Sequence, residues 1–164
     1  MKTIIFLTIF FSLTFSDTSA QTKNPTYKKL SDTAFIDNDI IIIPGIRFIL
    51  GKCEFFKNAK DSINPIAYFI KKHPTFKIEI GVHTVVRGKK DTNLVLTQCR
   101  ATKILDYLTK ELMLPSDNFV VKGYGDTQPI YSKKYLDNLI YQPSYNEKKL
   151  EELHEKNKRV EIKI

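Results

Sequence analysis

The chain has 164 residues, 42% of them hydrophobic and 27% charged, and Lys+Arg exceed Asp+Glu by 26 to 18 for a formal net charge of +8. That length suits one domain around a single core, and its three histidines show no zinc spacing. The basic residues are scattered instead of interleaved with a stacking platform, so the charge reads first as a solvated surface and second as attraction to an anionic cell wall, with nucleic acid a poor fit.

Residues 1–20 read as a secretory signal peptide. Lys2 is the basic start, Ile4 to Phe15 an apolar run of twelve, and Thr18-Ser19-Ala20 a small-residue cleavage site before Gln21. A membrane span needs about 17 to 25 apolar residues, and no cysteine stands near the cleavage point to carry a lipid. The mature chain is expected to be exported, with no transmembrane segment, and to keep its charge of +8 because only Lys2 and Asp17 are removed.

Residues 21–39 are polar, carry lysines and Pro25, and predict a tether or irregular lead-in. Order is expected from Ile40, where Ile40 to Ile43 form a β-branched run closed by Pro44-Gly45. Ile46, Phe48 and Leu50 alternate after it, either as a second strand paired to the first or as one strand bent at the turn. Phe55 to His73 is the first helical region, with Ile63, Ile66, Phe69 and Ile70 as its stripe, Pro65 in the first turn and Asn64 as N-cap. His73-Pro74 ends it. Phe76, Ile78 and Ile80 begin the next strand, so strand, helix and strand imply a parallel crossover.

Ile78 to His83 alternates like a buried strand, His83-Thr84 and Arg87-Gly88 open a polar loop, and a helix follows from Thr92 to Leu112 on Leu94, Ala101, Leu105, Leu108 and Leu112. A third strand starts at Phe119 and ends at Gly123 and Gly125. Val160, Ile162 and Ile164 alternate as the last. The fold class is α/β, a two-layer sandwich of order βαβαβ-β with helices packed on a mixed sheet. Between the last two strands, residues 130–156 hold four of the eight tyrosines, Tyr131, Tyr135, Tyr141 and Tyr145, and an amphipathic stretch with Leu150 and Leu153 on one face. This is either a surface decoration or a contact surface for carbohydrate or protein.

His83-Thr84, Arg87-Gly88, Asn93-Leu94, Leu96-Thr97 and Arg100-Ala101 resemble the signature of the OmpA-like peptidoglycan-binding domain, a family that includes MotB-like proteins. The likeness continues at Gly123-Tyr124-Gly125-Asp126 with Pro129 and at Asn157-Lys158-Arg159-Val160-Glu161, and covers residues 40–164 with a longer insertion at 130–156. By that resemblance, the ligand is the peptidoglycan stem peptide: an aspartate after His-Thr grips the ammonium of diaminopimelate while the helix arginine grips its carboxylate. The arginine is Arg100. The aspartate is replaced by Val85, and Val82 stands before His83 where the family has glycine, the nearest glycine being Gly81. Thr84, Val85, Asn93, Leu96, Thr97 and Arg100 are the ligand-site residues that the resemblance implies, and His83, Gly88, Gly123, Gly125, Asn157 and Arg159 its structural ones.

Val85 cannot accept from an ammonium, so wall binding is expected to be weaker by about 2 to 4 kcal/mol, roughly 30-fold to 1000-fold. Three accounts of Val85 stand open: another acid, Asp91 or Asp61, replaces the aspartate, the ligand lacks the ammonium, or the site has decayed. Cys53 and Cys99 are either a disulfide formed after export or two small buried thiols, a bridge requiring a Cα separation below about 7 Å. His83 reads as a loop-end residue bonded to backbone. No G-x-S-x-G, H-E-x-x-H or phosphate loop is present, so no enzyme, cofactor or metal is expected. The expectation is a non-enzymatic envelope protein, periplasmic or outer-membrane associated, that holds peptidoglycan non-covalently. The alternative is a degenerate domain of this fold serving as a periplasmic protein-interaction or structural module without wall binding.

Overall fold

The computed structural model describes residues 26–164, so the expected signal peptide lies outside the described residues. The elements are β1 (Tyr27–Lys28), β2 (Ile40–Ile43), α1 (Ala59–Lys72), β3 (Ile78–His83), α2 (Lys90–Asp106), β4 (Phe119–Gly125), α3 (Lys133–Leu139), α4 (Glu147–Asn157) and β5 (Val160–Lys163). One π-helical turn, Tyr107–Glu111, extends α2.

The sheet is mixed, with order β1-β2-β5-β3-β4. β3 and β4 are parallel, and β5 is antiparallel to both β2 and β3. The expected crossover from β2 through α1 to β3 therefore skips one position, which the last strand of the chain fills. Alternation decides the faces. Ile78, Ile80 and Val82 of β3, Ile41 and Ile43 of β2, and Val160 and Ile162 of β5 enter one core with Ile63, Ile66 and Ile70 of α1 and Ala101 and Ile104 of α2. Helices on a mixed sheet are the α/β sandwich that the hydrophobic pattern implies.

Residues 26–39 are irregular apart from β1 and are held to the fold: β1 pairs in parallel with β2, and Phe35 packs edge-on against Phe69 at 5.0 Å. Two local readings differ from the structure. Ile46, Phe48 and Leu50 do not form a strand. Past the Pro44-Gly45 turn the chain makes an irregular loop with one bridge, Phe48 to Phe55, and Leu50 is 93% exposed; alternation over five residues without a sheet neighbour cannot hold a strand. Pro65 sits in the interior of α1, not in its first turn, and the residue before the helix is Asn58, not Asn64. The reason is burial. Starting the helix at Ala59 places Ala59 and Ile63 in the core at 1% and 0% exposure, and full burial of an isoleucine is worth about 1.5 to 3 kcal/mol, enough to offset much of the hydrogen bond Pro65 lacks.

The 130–156 insertion folds as two helices. Ser132 caps α3 by accepting from Tyr135 N, and Asn146 caps α4 by accepting from Lys149 N. Leu136 and Leu153 bury against each other and Val86, with Tyr131, Leu139 and Leu150 around them, in a second apolar cluster apart from the main core.

Candidate functional site

The site grows from the end of β3 and the first three turns of α2. β4 lies so close to α2 that a Cβ on Gly123 would stand 2.1 Å from Gln98 N, and one on Gly125 (φ +56) would stand 3.1 Å from Leu94 N. Only glycine permits this approach. Side chains of α2 use it: Gln98 Oε1 accepts from Gly123 N at 2.8 Å, and the Thr97 hydroxyl accepts from Gly125 N at 2.8 Å while donating to Asn93 O at 2.8 Å.

The loop between β3 and α2 is pinned from several sides. Thr84 N donates to Gly125 O at 2.9 Å, Asn93 Nδ2 donates to Arg87 O at 2.9 Å, and Gly88 turns with φ 85. Val86 is buried in the insertion's cluster, and Arg87 Nη2 meets Glu151 Oε2 at 3.0 Å. Thr84, Asn93 and Thr97 are buried, whereas Val85 and Leu96 are half-buried.

Arg100 lies on the same helix, half-buried. Its Nε donates to Lys52 O at 3.0 Å and its Nη2 to Ile49 O at 3.3 Å, and the guanidinium carbon stands 4.9 Å from the centroid of Phe48. Burial strips water from the cation and lowers its pKa from the ordinary value. Among the described residues no carboxylate lies within 4.0 Å of it. Asp61 and Asp91 are exposed in the first turns of α1 and α2, and neither pairs with Arg100. The loop that supplies both carbonyls is bonded to α2 one residue before the arginine, by a Cys53–Cys99 disulfide with Cα atoms 5.8 Å apart. A shallow, largely apolar groove of about 570 Å³ runs along the neighbouring face of α2, over Leu94, Val95, Gln98 and the disulfide; neither Arg100 nor Val85 lines it.

His83 is the last residue of β3, 3% exposed, and not a loop-end group. Its backbone N donates to Arg159 O, its ring stacks on Tyr124 at 4.6 Å, and Nε2 lies 3.0 Å from Glu161 Oε1. Burial opposes ionisation of Glu161, but His83 and Arg159 together outweigh it and hold its carboxyl below the usual range. Tyr124 donates to Glu79 Oε1 at 2.5 Å, and burial together with that carboxylate raises its phenol pKa. Asn157 closes the insertion: its amide accepts from Tyr131 N at 2.9 Å and donates to Tyr131 O at 2.8 Å.

Chemically the arrangement presents one desolvated, acid-free guanidinium on a braced helix. Among the described residues no group of three or more His, Cys, Asp or Glu side chains could hold a metal, and no described helix is long and apolar enough to cross a membrane. Sequence reasoning missed the acceptors of Arg100, which are backbone carbonyls, and the contacts of Val86 and Arg87 with the insertion.

An OmpA family model matches residues 47–138. YtxE, an uncharacterized protein of Bacillus subtilis, is 27% identical over 104 residues that cover 61% of this chain and 43% of that protein; the chain thus spans less than half the length of the curated relatives it matches. An outer membrane protein from Borrelia burgdorferi has a similar structure, at 26% identity and a TM-score of 0.50 over 73% of this chain and 82% of that one. The peptidoglycan-associated lipoprotein of Burkholderia pseudomallei shares the fold at 19% identity and a TM-score of 0.54, over 72% and 86%. With more than half of its length matched to that model, on the strand, loop and helix that build the site, the chain belongs to the OmpA family.

Proposed function

We propose that this chain is an exported, non-enzymatic protein of the cell envelope that attaches non-covalently to peptidoglycan, Arg100 taking the carboxylate of a diaminopimelate-containing stem peptide. The observation that carries the reading is Arg100 itself, a half-buried cation whose partners are two carbonyl oxygens and an aromatic face. Carbonyls satisfy its hydrogens without neutralising its charge, so an incoming carboxylate gains a charge-assisted contact of about 1.5 to 3 kcal/mol. Thr84, Asn93, Leu96 and Thr97 shape the walls, the side chains of Asn93 and Thr97 spending their hydrogen bonds within the fold. Val85 contributes an apolar side chain where the ligand's ammonium would stand, and this weakens attachment.

Co-sedimentation of residues 21–164 with purified insoluble peptidoglycan at fixed, near-physiological salt tests the reading, because a +8 protein adheres to anionic polymers when screening is poor. The wild type pellets, Val85→Asp pellets at roughly 30-fold to 1000-fold lower concentration, and Arg100→Ala stays in solution. Equal retention of wild type and Arg100→Ala refutes the role of Arg100. A second reading, a module that serves a protein partner instead of the wall, is favoured by Val85 and by the exposed Tyr135, Tyr141 and Tyr145 of the insertion; retention of Val85→Asp alone selects it.

A further inference from the structure

The loop that carries Val85 is the only part of the second apolar cluster that lies outside the insertion, since Val86 buries against Leu136 and Leu153 while all its other described members lie between residues 131 and 153. Next to it, Arg87 reaches across to Glu151 of α4 at 3.0 Å. That carboxyl is held below its ordinary pKa by the Arg87 hydrogen bond, against a small desolvation cost. On the other side, Asn93 of α2 takes Arg87 O. The loop is therefore clamped between α2 and the insertion, with side chains of consecutive residues locked into the latter.

We infer that the α3–α4 hairpin is a brace that sets the position of the 84–88 loop, and that Val86, Arg87, Leu136, Glu151 and Leu153 are positioning residues for ligand attachment through that loop, at Val85. The inference rests on the wall-binding reading for its functional half and on geometry alone for its structural half. A decoration would bury its apolar residues among themselves; this one takes Val86 from the motif loop as its third buried member. Asn157, with both polar atoms of its amide on Tyr131, ties the first residue of the brace to its last turn, so displacement at α4 is transmitted to α3 and to the loop together.

The test uses trypsin, because Arg87 is exposed in the loop and Lys89 and Lys90 are exposed where it enters α2. In the full mature chain, Leu153→Ala opens the cluster and raises native-state cleavage after these residues about tenfold. Glu151→Ala, a surface change that spares the core, raises it about threefold and keeps the test decisive if Leu153→Ala does not fold. Leu153→Met fills the same space and leaves the loop protected. Ile66→Val lowers stability in the principal core without touching the brace, and separates loop release from general loosening. Wall co-sedimentation is run on the same set, and Leu153→Ala loses about tenfold in apparent affinity while Leu153→Met and Ile66→Val do not. Loop cleavage in both brace variants no faster than in Ile66→Val overturns the brace. Faster cleavage with unchanged retention overturns its role in attachment. If no variant, wild type and Val85→Asp included, is retained by the wall, the wall-binding reading and the brace's part in it both fall, and the cleavage arm still decides the structural brace.

Discussion

Breaking the Cys53–Cys99 bond tests how far the arginine site depends on a cross-link. The bridge closes a sequence separation of 46 residues, and the chain-entropy relation assigns such a loop about 4 kcal/mol of stabilisation. For a domain of this size each kcal/mol moves the melting midpoint by about 2 to 4 °C, so reduction lowers it by roughly 8 to 16 °C. A second effect is local. The bridge holds the loop whose carbonyls of Ile49 and Lys52 fix the guanidinium, and an arginine freed to explore its rotamers must be re-ordered at about 1.5 to 2 kcal/mol when it binds, or roughly tenfold to thirtyfold in affinity. The assay is thermal unfolding with and without reductant, alongside Cys53→Ser and Cys99→Ser, followed by wall co-sedimentation below every midpoint. A reduced protein that melts within about 3 °C of the oxidised one refutes the entropic argument, and unchanged retention refutes the coupling of the bridge to Arg100.

Gly123→Ala brings a Cβ to 2.1 Å from Gln98 N and 2.6 Å from the Thr97 carbonyl carbon, backbone atoms that cannot rotate away; α2 must lift off β4, at about 1 to 3 kcal/mol, and an unchanged urea midpoint would remove the close-packing account. His154 is held below its ordinary pKa of 6.5, first by burial and then by Arg87. The unfolded chain therefore binds more protons in that window, so the contribution is complete above pH 6.5 and is lost as pH falls toward the depressed value. His154→Gln flattens the stability profile from about pH 6.5 downward if this is right. Glu161 is also depressed, and by the same linkage its share is present above its ordinary 4.5 and lost as pH falls through the folded value; Glu161→Gln flattens that lower, acidic part of the curve.

Much of the fold was legible because burial writes a period into the chain. Ile78, Ile80 and Val82 repeat at two, and the stripe on α2 repeats at the helical spacing, so both elements and their faces follow from sequence. Where local pattern and tertiary context disagreed, context won. Ile46, Phe48 and Leu50 alternate but have no neighbouring strand, and Pro65 was read as a helix start although the stripe runs a full turn before it, to Ala59. Of the candidate site, the motif pointed to Arg100 and the loop of Val85. It could not show that two backbone carbonyls and a disulfide fix the arginine, because carbonyls carry no residue identity. For the brace the legible signal was the apolar face of Leu150 and Leu153, which had to be buried against something but did not name Val86 as its partner.

The residues of the motif do different work, and this bears on how far a family signature supports a ligand. Asn93 holds the Arg87 carbonyl. Thr97 joins α2 to the end of β4, and Gly123 and Gly125 let the helix approach. Each would be needed for this packing whether or not anything binds. Arg100 is different, since its hydrogen bonds go to two carbonyl oxygens and leave its charge uncompensated. A structural ion pair would have been the more economical way to settle a half-buried guanidinium, because an isolated cation loses solvation with no counter-charge in return. Keeping the cation acid-free costs the folded chain stability and leaves it receptive to an anion. The weight of the proposed wall-binding reading therefore falls on Arg100 and Val85 alone, and under that proposal they pull in opposite directions: the first would keep the carboxylate half of a clamp, the second would remove the ammonium half. A ligand that offers a carboxylate and an apolar or uncharged group at the second position fits both side chains as they stand, and comparing wall fragments with and without the free ammonium against wild type and Val85→Asp resolves which half this chain has kept.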